Sequence, residues 1–232
     1  MKSLYLLVNF FTIIIPFLFS FHPKIKFNKT WGAFFSAAIL VGLIFVIWDA
    51  IFTKMGVWWF NDNYILGIKL VGLPIEEILF FICIPFSCIF TYFCLDKFYD
   101  LTWNKKFENL FFILFSLSLI VIATIYINQI YTAITFYSTA LACIYLKFIK
   151  PVDWIGKATT VYGILLLPFF IVNGVLTGTG IEDAVVKYNP DDFMGIRMLT
   201  IPVEDSIYGY LLILLNLLLY KKFLNGNKEK PV

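Results

Sequence analysis

Charged residues are scarce in this sequence. Asp, Glu, Lys and Arg make up 14% of its 232 residues, whereas 61% are hydrophobic and the mean hydropathy is +0.87. So little charge cannot cover the surface of a water-soluble domain, and the composition therefore predicts a membrane protein. The net charge is only +3 and the lysines are spread over separate loops, which argues against a nucleic-acid partner.

Residues that bind metals and cofactors are also few. His22 is the single histidine, which excludes a multi-histidine metal site. The four cysteines lie in or beside apolar runs without zinc-type pairing, and we interpret them as packing residues: Cys83, Cys88, Cys94 and Cys143. The sequence has no Gly-x-Gly-x-x-Gly after a strand, no P-loop and no His-Glu-x-x-His motif. Nucleotide, flavin and zinc chemistry are therefore disfavoured, and we predict neither a cofactor nor a metal.

What the sequence does contain is a series of apolar runs close to the ~20 residues that a bilayer-spanning helix needs. The first run resembles a secretory signal but lacks a small-residue cleavage site, so we predict an uncleaved helix. The predicted fold is an all-α polytopic membrane protein with seven transmembrane helices. We expect them at about Leu4–Phe19, Trp31–Phe52, Pro74–Phe93, Leu110–Ile127, Ile130–Phe148, Ala158–Leu176 and Pro202–Tyr220.

The distribution of basic residues predicts the orientation in the membrane. Thirteen of the 18 follow predicted helices 1, 3, 5 and 7, and the remaining five are Lys2, Lys54, Lys69, Lys187 and Arg197. Because cytoplasmic loops are richer in lysine and arginine, we expect the N-terminus outside and the C-terminus in the cytoplasm. The protein would then be a multi-pass protein of a bacterial-type inner membrane.

The chain contains an internal duplication. Residues 60–77 read FNDNYILGIKLVGLPIEE and residues 188–205 read YNPDDFMGIRMLTIPVED, an ungapped match 128 positions apart. A second block, DAIFTKMG at 49–56, matches NGVLTGTG at 173–180. We therefore predict a first repeat at 1–95, a connecting helix at 96–128, a second repeat at 129–222 and a polar tail at 223–232. Because a single helix connects them, the copies share one orientation, as in parallel-repeat membrane proteins.

Each copy opens a helix with a proline and two acids, Glu76-Glu77 in the first and Glu204-Asp205 in the second. The simplest interpretation is helix capping, since a carboxylate in the first turn meets the positive end of the helix dipole. Adjacent residues lie about 100° apart around a helix, so one acid of each pair can cap while the other turns inward. A carboxyl group facing a dry membrane interior is usually functional, and this favours a role for at least one acid per pair.

Other polar and aromatic residues accompany these motifs. Asp49 and its counterpart Asn173 lie near helix ends, where they are either interfacial residues or part of the same pocket as the acids. Aromatic residues near the motifs are either an interfacial belt or a pocket wall that stabilises positive charge. The candidate pocket residues are Asp49, Asn173, Thr53, Thr177, Trp59, Phe60 and Tyr188.

The paired P-x-E-[ED] motifs, preceded by DAIFTKMG in one half and NGVLTGTG in the other, resemble the lycopene cyclase domain family in its fused double-domain form. The resemblance covers about residues 1–222. It implies a redox-neutral, flavin-independent lycopene β-cyclase, which protonates a terminal alkene of lycopene and closes β-ionone rings, giving γ-carotene and then β-carotene. It also implies that Glu76, Glu77, Glu204 and Asp205 are catalytic, with Glu76 and Glu77 favoured. Lycopene would come from the surrounding membrane lipid.

Several alternatives stay open. A relative could act on another linear carotenoid or form an ε-type ring. A seven-helix retinal- or carotenoid-binding photoprotein would need a lysine within the last helix for a Schiff base, and residues 207–220 contain none. A proton-coupled transporter would carry its acids nearer the membrane midplane. The sequence also leaves the oligomeric state open, a homo-oligomer included.

Overall fold

The computed structural model describes residues 2–228, and this part of the chain is mainly helical. Seven α-helices run in order with short extended segments at one end of the bundle. The helices are α1 Leu4–Phe19, α2 Trp31–Met55, α3 Ile75–Phe98, α4 Lys105–Ile125, α5 Ile130–Ile144, α6 Ile155–Leu176 and α7 Val203–Lys228. A 3-10 turn at Phe27–Thr30 precedes α2, and a π-helical turn at Tyr145–Ile149 extends α5.

The lengths of these helices agree with a membrane protein. Six of the described helices are long and apolar enough to cross a bilayer, whereas α1 has 16 residues and is shorter than this. Each predicted helix exists, but α3 and α7 extend beyond their predicted ends at Phe93 and Tyr220, because helical hydrogen bonding continues into the polar residues that follow. Helix α7 thus includes the start of the predicted polar tail, and residues 229–232 of that tail lie outside the described residues.

We call the end of the bundle where α3 and α7 begin the motif end, and the opposite end the lysine end. Helix α2 stops at the motif end because Gly56 adopts a left-handed conformation, φ 79°, in which its N–H bonds the Phe52 carbonyl. Helix α3 starts there after Pro74, whose ring is tolerated at a helix start. At the lysine end, the Asn104 side chain accepts from the Lys106 N–H and caps α4.

The packing of the helices repeats between the two halves. Helix α1 packs along α3, and α5, its counterpart in the second half, packs along α7. Across the halves, α2 packs against α7 and α3 packs against α6, while α4 packs on α5. The main apolar core lies towards the lysine end and includes large fully buried rings such as Phe27, Phe34 and Phe86.

Two short strands join the halves at the motif end. Strand β1, Trp58–Phe60, pairs antiparallel with β4, Val186–Tyr188, its counterpart in the second half. Trp58 therefore faces Tyr188, and Phe60 faces Val186. The flanking hydrogen bonds are also reciprocal. The Asn61 N–H donates to the Val185 carbonyl and the Asn189 N–H to the Val57 carbonyl, both at 2.8 Å. Equivalent positions of the two copies are therefore paired reciprocally.

Each half also has a small hairpin directly before its motif helix. Strands β2, Lys69–Leu70, and β3, Leu73–Pro74, form the first hairpin. Strands β5, Arg197–Met198, and β6, Ile201–Pro202, form the second. The inward residues Leu73 and Ile201 are fully buried, so one face of each hairpin packs onto the helices. The sequence interpretation missed these strands because runs of two or three residues carry no measurable period-2 pattern.

A buried ion pair holds the connecting helix in place. Lys147, in the π-helical turn after α5, donates to the Glu108 carboxylate of α4, and both side chains are nearly buried. Gly156 of α6 faces this pair so closely that a β-carbon there would overlap the Glu108 carboxylate and press on the Trp103 ring. The close approach of α6 to α4 therefore depends on a residue without a side chain.

We expect Gly156→Ala to lower the thermal unfolding temperature of the detergent-solubilised protein, because the added methyl displaces a buried ion pair at a cost of about 1–3 kcal/mol. Gly163→Ala is the matched control, since nothing lies within 4 Å of a β-carbon in that position of the same helix. Alanine is the better helix former, so the control should be neutral or stabilising. Equal melting temperatures for the two variants would contradict this account.

Candidate active site

A cavity of about 90 Å³ lies at the motif end between the two halves. Five helices, α1, α2, α3, α6 and α7, line it together with the first turn of α5 and strands β1 and β4. Helix α3 lines the cavity with Glu77, Phe80 and Ile84. Helix α7 lines it with the corresponding residues Asp205, Tyr208 and Leu212. These positions recur with helical spacing, which puts them on one face of each helix.

Two of the motif acids enter this cavity with tyrosine partners. The Tyr5 hydroxyl donates to Glu77 Oε2 at 2.5 Å. The Tyr131 hydroxyl donates to Asp205 Oδ1 at 2.6 Å, and the Tyr188 hydroxyl donates to Asp205 Oδ2 at 2.8 Å. Burial, and then the neighbouring Asp205 carboxylate, raise the pKa of the Tyr188 hydroxyl well above its usual range, which keeps it a proton donor.

A third acid, Asp49 of α2, completes the set. It is buried and lines the cavity together with Glu77, and its Oδ2 atom has no hydrogen-bond partner among residues 2–228. Two carboxyl groups that share a small buried cavity disfavour each other's ionisation. Asp205 differs, since its two hydrogen bonds both come from tyrosine hydroxyls. The cavity therefore combines the Asp49 and Glu77 carboxyl groups of the first half with the Asp205 carboxyl group of the second, which accepts from two neutral donors.

The other two motif acids, Glu76 and Glu204, are fully buried but are not among the residues that line the cavity. Glu76 Oε1 accepts from the Leu66 backbone N–H at 2.7 Å, and Glu204 Oε1 accepts from the Met194 N–H at 2.9 Å. Both contacts reach back ten residues. The first acid of each pair thus binds the backbone of the segment before its helix, and the second acid faces the cavity. One acid of each pair turns inward, as the helical geometry predicts, but the other binds this preceding segment instead of capping its own helix.

The walls of the cavity are aromatic. Seven rings line it, in addition to that of Tyr5: Trp58, Phe60, Phe80, Tyr131, Phe169, Tyr188 and Tyr208. The rings of Tyr131 and Tyr188 stack at 6.0 Å between centroids. The predicted pocket residues Phe60 and Tyr188 are among them, whereas Trp59 is 46% exposed on the other side of β1. Of the three predicted aromatic residues, Phe60 and Tyr188 thus form part of the pocket wall. Trp59 is instead exposed, as residues of an interfacial aromatic belt are.

The predicted polar residues are placed unequally. Asn173 and Thr177 line the cavity, and the Thr177 hydroxyl donates to the Asn173 carbonyl at 2.8 Å. The Thr53 hydroxyl lies at the end of α2 and has no hydrogen-bond partner among residues 2–228. No motif acid forms an ion pair in the described chain, since Lys69 pairs with Asp62 at 3.0 Å and Arg197 lies over the Phe193 ring at 4.8 Å.

Sequence reasoning missed Tyr5, Tyr131 and Tyr208. Tyr5 and Tyr131 occupy equivalent places in the first turns of α1 and α5, and their backbone N–H groups bond the equivalent carbonyls of Tyr64 and Asp192. Aligning the first helices of the two halves at their own offset of 126 positions pairs these tyrosines, and also Phe10 with Phe136. Tyr208 lies one turn after Asp205 on the same helix face, a spacing that is readable from the sequence. Within the described residues, no group of three or more His, Cys, Asp or Glu could hold a metal ion.

We expect Glu204→Ala to loosen the segment before α7, because the Met194 N–H loses one of its two acceptors and keeps only Thr132 Oγ1, while the Thr132 hydroxyl loses its own acceptor. Hydrogen bonds to charged groups contribute about 1.5–3 kcal/mol, so amide exchange in residues 188–201 should accelerate about 10- to 100-fold. Glu204→Gln retains an acceptor oxygen and should remain close to the original protein, and Glu182→Ala, on the exposed loop, is the control. Exchange that is the same in all variants would contradict the assigned contact.

Comparison with known proteins agrees with this architecture. The family model described as "Lycopene cyclase" matches residues 2–95 and again residues 128–223. Searches among curated proteins and among solved structures return no match. The two matched regions coincide with the two copies of the acidic motif and leave out the connecting helix α4. Because the family model covers more than half of the sequence in two regions, this membrane-type chain belongs to the lycopene cyclase family, whose members are carotenoid cyclases.

Proposed function

We propose that this protein is a lycopene β-cyclase that forms β-ionone rings in the cavity at the motif end. The observation that carries this proposal is the meeting of three carboxyl groups, from Asp49, Glu77 and Asp205, inside one aromatic-walled cavity. Cyclisation of a linear carotenoid end needs a proton donor, a wall that stabilises a carbocation, and a proton acceptor. The reaction adds one proton and removes one, so the product is an isomer of the substrate and no redox cofactor takes part.

The proton donor in this proposal is the Asp49–Glu77 pair. Asp49 and Glu77 are buried in one cavity away from bulk water, so the pair retains a proton rather than carrying two negative charges. Protonation of the terminal alkene forms a carbon–hydrogen bond and leaves a tertiary cation, while the carboxyl pair becomes negative. The Tyr5 hydroxyl, which already donates to Glu77 at 2.5 Å, stabilises that negative charge.

The proton acceptor in this proposal is Asp205. Two tyrosine hydroxyls hold it in place without supplying a proton to the reaction. The internal alkene attacks the first cation and closes the ring, which moves the positive charge to a neighbouring carbon. Loss of an adjacent proton to Asp205 then restores a double bond, and its position decides between the β and the ε ring. Asp205 is therefore the residue that selects the ring type.

The aromatic walls stabilise the carbocation until it loses a proton. Ring faces attract positive charge without donating electrons to a new bond, so they stabilise a carbocation that water would trap. The rings of Tyr131 and Tyr188 belong to this wall, and the hydroxyl groups of both donate to Asp205. Glu76 and Glu204 support this arrangement indirectly, as positioning residues for the segments that close the motif end.

A single cavity serves both ends of the substrate in this proposal. The volume of about 90 Å³ is too small for a whole linear carotenoid, so it takes one end at a time. The donor pair comes from the first half of the chain and the acceptor from the second. The position equivalent to Asp49 is the neutral Asn173, which means that the halves do not carry two copies of the same catalytic set. The one-ringed γ-carotene would thus re-enter by its other end and become β-carotene.

The membrane arrangement proposed here has seven crossings, with the short α1 as the first. The parallel copies, related by a pseudo-twofold axis along the membrane normal, are supported by the reciprocal pairing of β1 with β4. The lysine end faces the cytoplasm, as expected from its excess of basic residues. The motif end, with the cavity, then faces outward, and lycopene enters from the bilayer.

Expression of the chain in a lycopene-accumulating bacterial host should convert lycopene to β-carotene, and chromatography of the pigments measures this. Purified protein with the same pigment in liposomes should do so without any added nucleotide or flavin. Unchanged lycopene, with the protein confirmed in the membrane, would contradict the proposed function. A product with ε rings would keep the cyclase assignment and contradict the proposed position of Asp205.

We expect Glu77→Gln and Asp205→Asn each to lower the rate of both ring closures by at least about 100-fold, the usual contribution of a positioned acid or base. Each variant should therefore accumulate lycopene and not the one-ringed product. Glu182→Gln, on the exposed loop, is the matched control and should retain full activity. Accumulation of γ-carotene in either variant would show that each half closes its own ring, and would leave the cyclase assignment intact.

A further inference from the structure

The two hairpins before the motif helices carry large apolar side chains on their exposed surface. Val71 and Leu199, at the tips, are 69% and 76% exposed. The first hairpin also exposes Leu66, Ile68 and Leu70, and the second exposes Ile196. The same type of surface therefore occurs in both copies. A pair of exposed apolar tips is unusual for loops that face water, which are normally polar at such turns.

The backbone conformation at both tips is also unusual for apolar residues. Val71 has φ 52° and Leu199 has φ 59°, a left-handed region where glycine or asparagine is the usual residue. A β-branched valine is a genuine outlier in that region. Both copies thus place a large apolar residue where a small polar one would fit with less strain. Because both side chains are mostly exposed, packing within the described chain does not explain why apolar residues occupy these positions.

The position of the two hairpin tips indicates what contacts their exposed apolar side chains. Each hairpin continues directly into a membrane-length helix, α3 at Ile75 or α7 at Val203, without an intervening linker. The exposed side chains of these helices are themselves apolar where they meet lipid, as Leu167 of α6 is at 72% exposure. The tips are therefore continuous with the lipid-facing surface of the bundle. A loop that led away into water would place several residues between its tip and the helix.

The polar groups of the hairpins match the interfacial layer of a bilayer. The inner backbone groups are paired, since the Ile75 N–H donates to Ile68 O at 2.9 Å and the Val203 N–H donates to Ile196 O at 3.1 Å. Lys69, which pairs with Asp62, and Arg197, which donates to the Thr200 carbonyl, stand at equivalent places beside the tips, and charged side chains of this kind lie at the membrane interface. The N–H and C=O groups on the outer edges of a two-stranded hairpin need polar partners. The backbone of each hairpin therefore lies at the depth of the lipid headgroups and not at the hydrocarbon centre.

We propose that the two hairpins are membrane-surface anchors whose apolar tips insert into the lipid of the bilayer at the motif end. The occupant of these surfaces is lipid and not a second copy of the chain. Glu76 and Glu204 connect the anchors to the bundle, because they bind the backbone at Leu66 and Met194, which lie at the base of each hairpin. The segments that close the cavity are thus held from the inside by a carboxylate and from the outside by lipid.

Nitroxide labels on single cysteines test this directly, in liposomes and in a background with the four native cysteines replaced by alanine. Labels at Val71 and Leu199 should collide with oxygen more than with a water-soluble nickel chelate, as a label at the lipid-facing control position Leu167 should also do. Labels at Asp62 and Glu182, the aqueous controls in the two halves, should show the opposite ratio. Labels at 71 and 199 that match these controls would overturn the proposal.

A second copy as the occupant would also overturn it, and would appear as spin–spin broadening together with low collision with both reagents. If the cysteine-free background does not fold, Val71→Trp and Leu199→Trp in the original chain replace it. Their added fluorescence should be quenched by phospholipids brominated near the headgroup, whereas the added fluorescence of Asp62→Trp should not. This readout does not depend on catalysis, so it remains valid whatever ring or substrate the cavity accepts.

Discussion

The motif end depends on the hydrogen bonds that two distant backbone N–H groups donate to buried glutamate side chains. Glu76 binds the Leu66 N–H and Glu204 binds the Met194 N–H, each with the carboxylate fully removed from solvent. Charge-assisted bonds of this kind are about twice as strong as neutral ones. Through them the segments between α2 and α3 and between α6 and α7 take fixed positions, and these segments carry Trp58, Phe60 and Tyr188 to the cavity.

The same constraint explains why the motif contains two acids. Successive residues point about 100° apart, so the neighbour of an acid that binds the preceding segment faces the bundle interior. In α3 that neighbour is Glu77 and in α7 it is Asp205, and each meets a tyrosine from the first turn of a helix in its own half. A structural acid and a cavity acid are thus adjacent in sequence. The duplication preserves this division even where the second acid changes from glutamate to aspartate.

The duplication is nevertheless not symmetric inside the cavity. Asp49 corresponds to Asn173, Phe80 to Tyr208, and Phe60 to Tyr188. The first half therefore contributes the carboxyl pair, and the second half contributes the carboxylate with two tyrosine donors. A cavity shared by two related but unequal halves can separate an acid from a base. Two identical halves would carry the same groups on both sides and would lack this separation.

The sequence by itself determined the membrane class, the approximate helices, the duplication and the family resemblance. These features are local, because the length of an apolar run and the spacing within a motif can be read without knowing what packs against them. Sequence also placed Glu77, Asp205, Asp49 and Tyr188 among the candidates.

Only the tertiary structure decided which acid of each pair faces the cavity, and it brought Tyr5 to Glu77 across 72 positions of chain. It also paired β1 with β4, which are too short to show a strand pattern. Such contacts depend on how seven helices pack, and two neighbouring acids look alike until their surroundings are present.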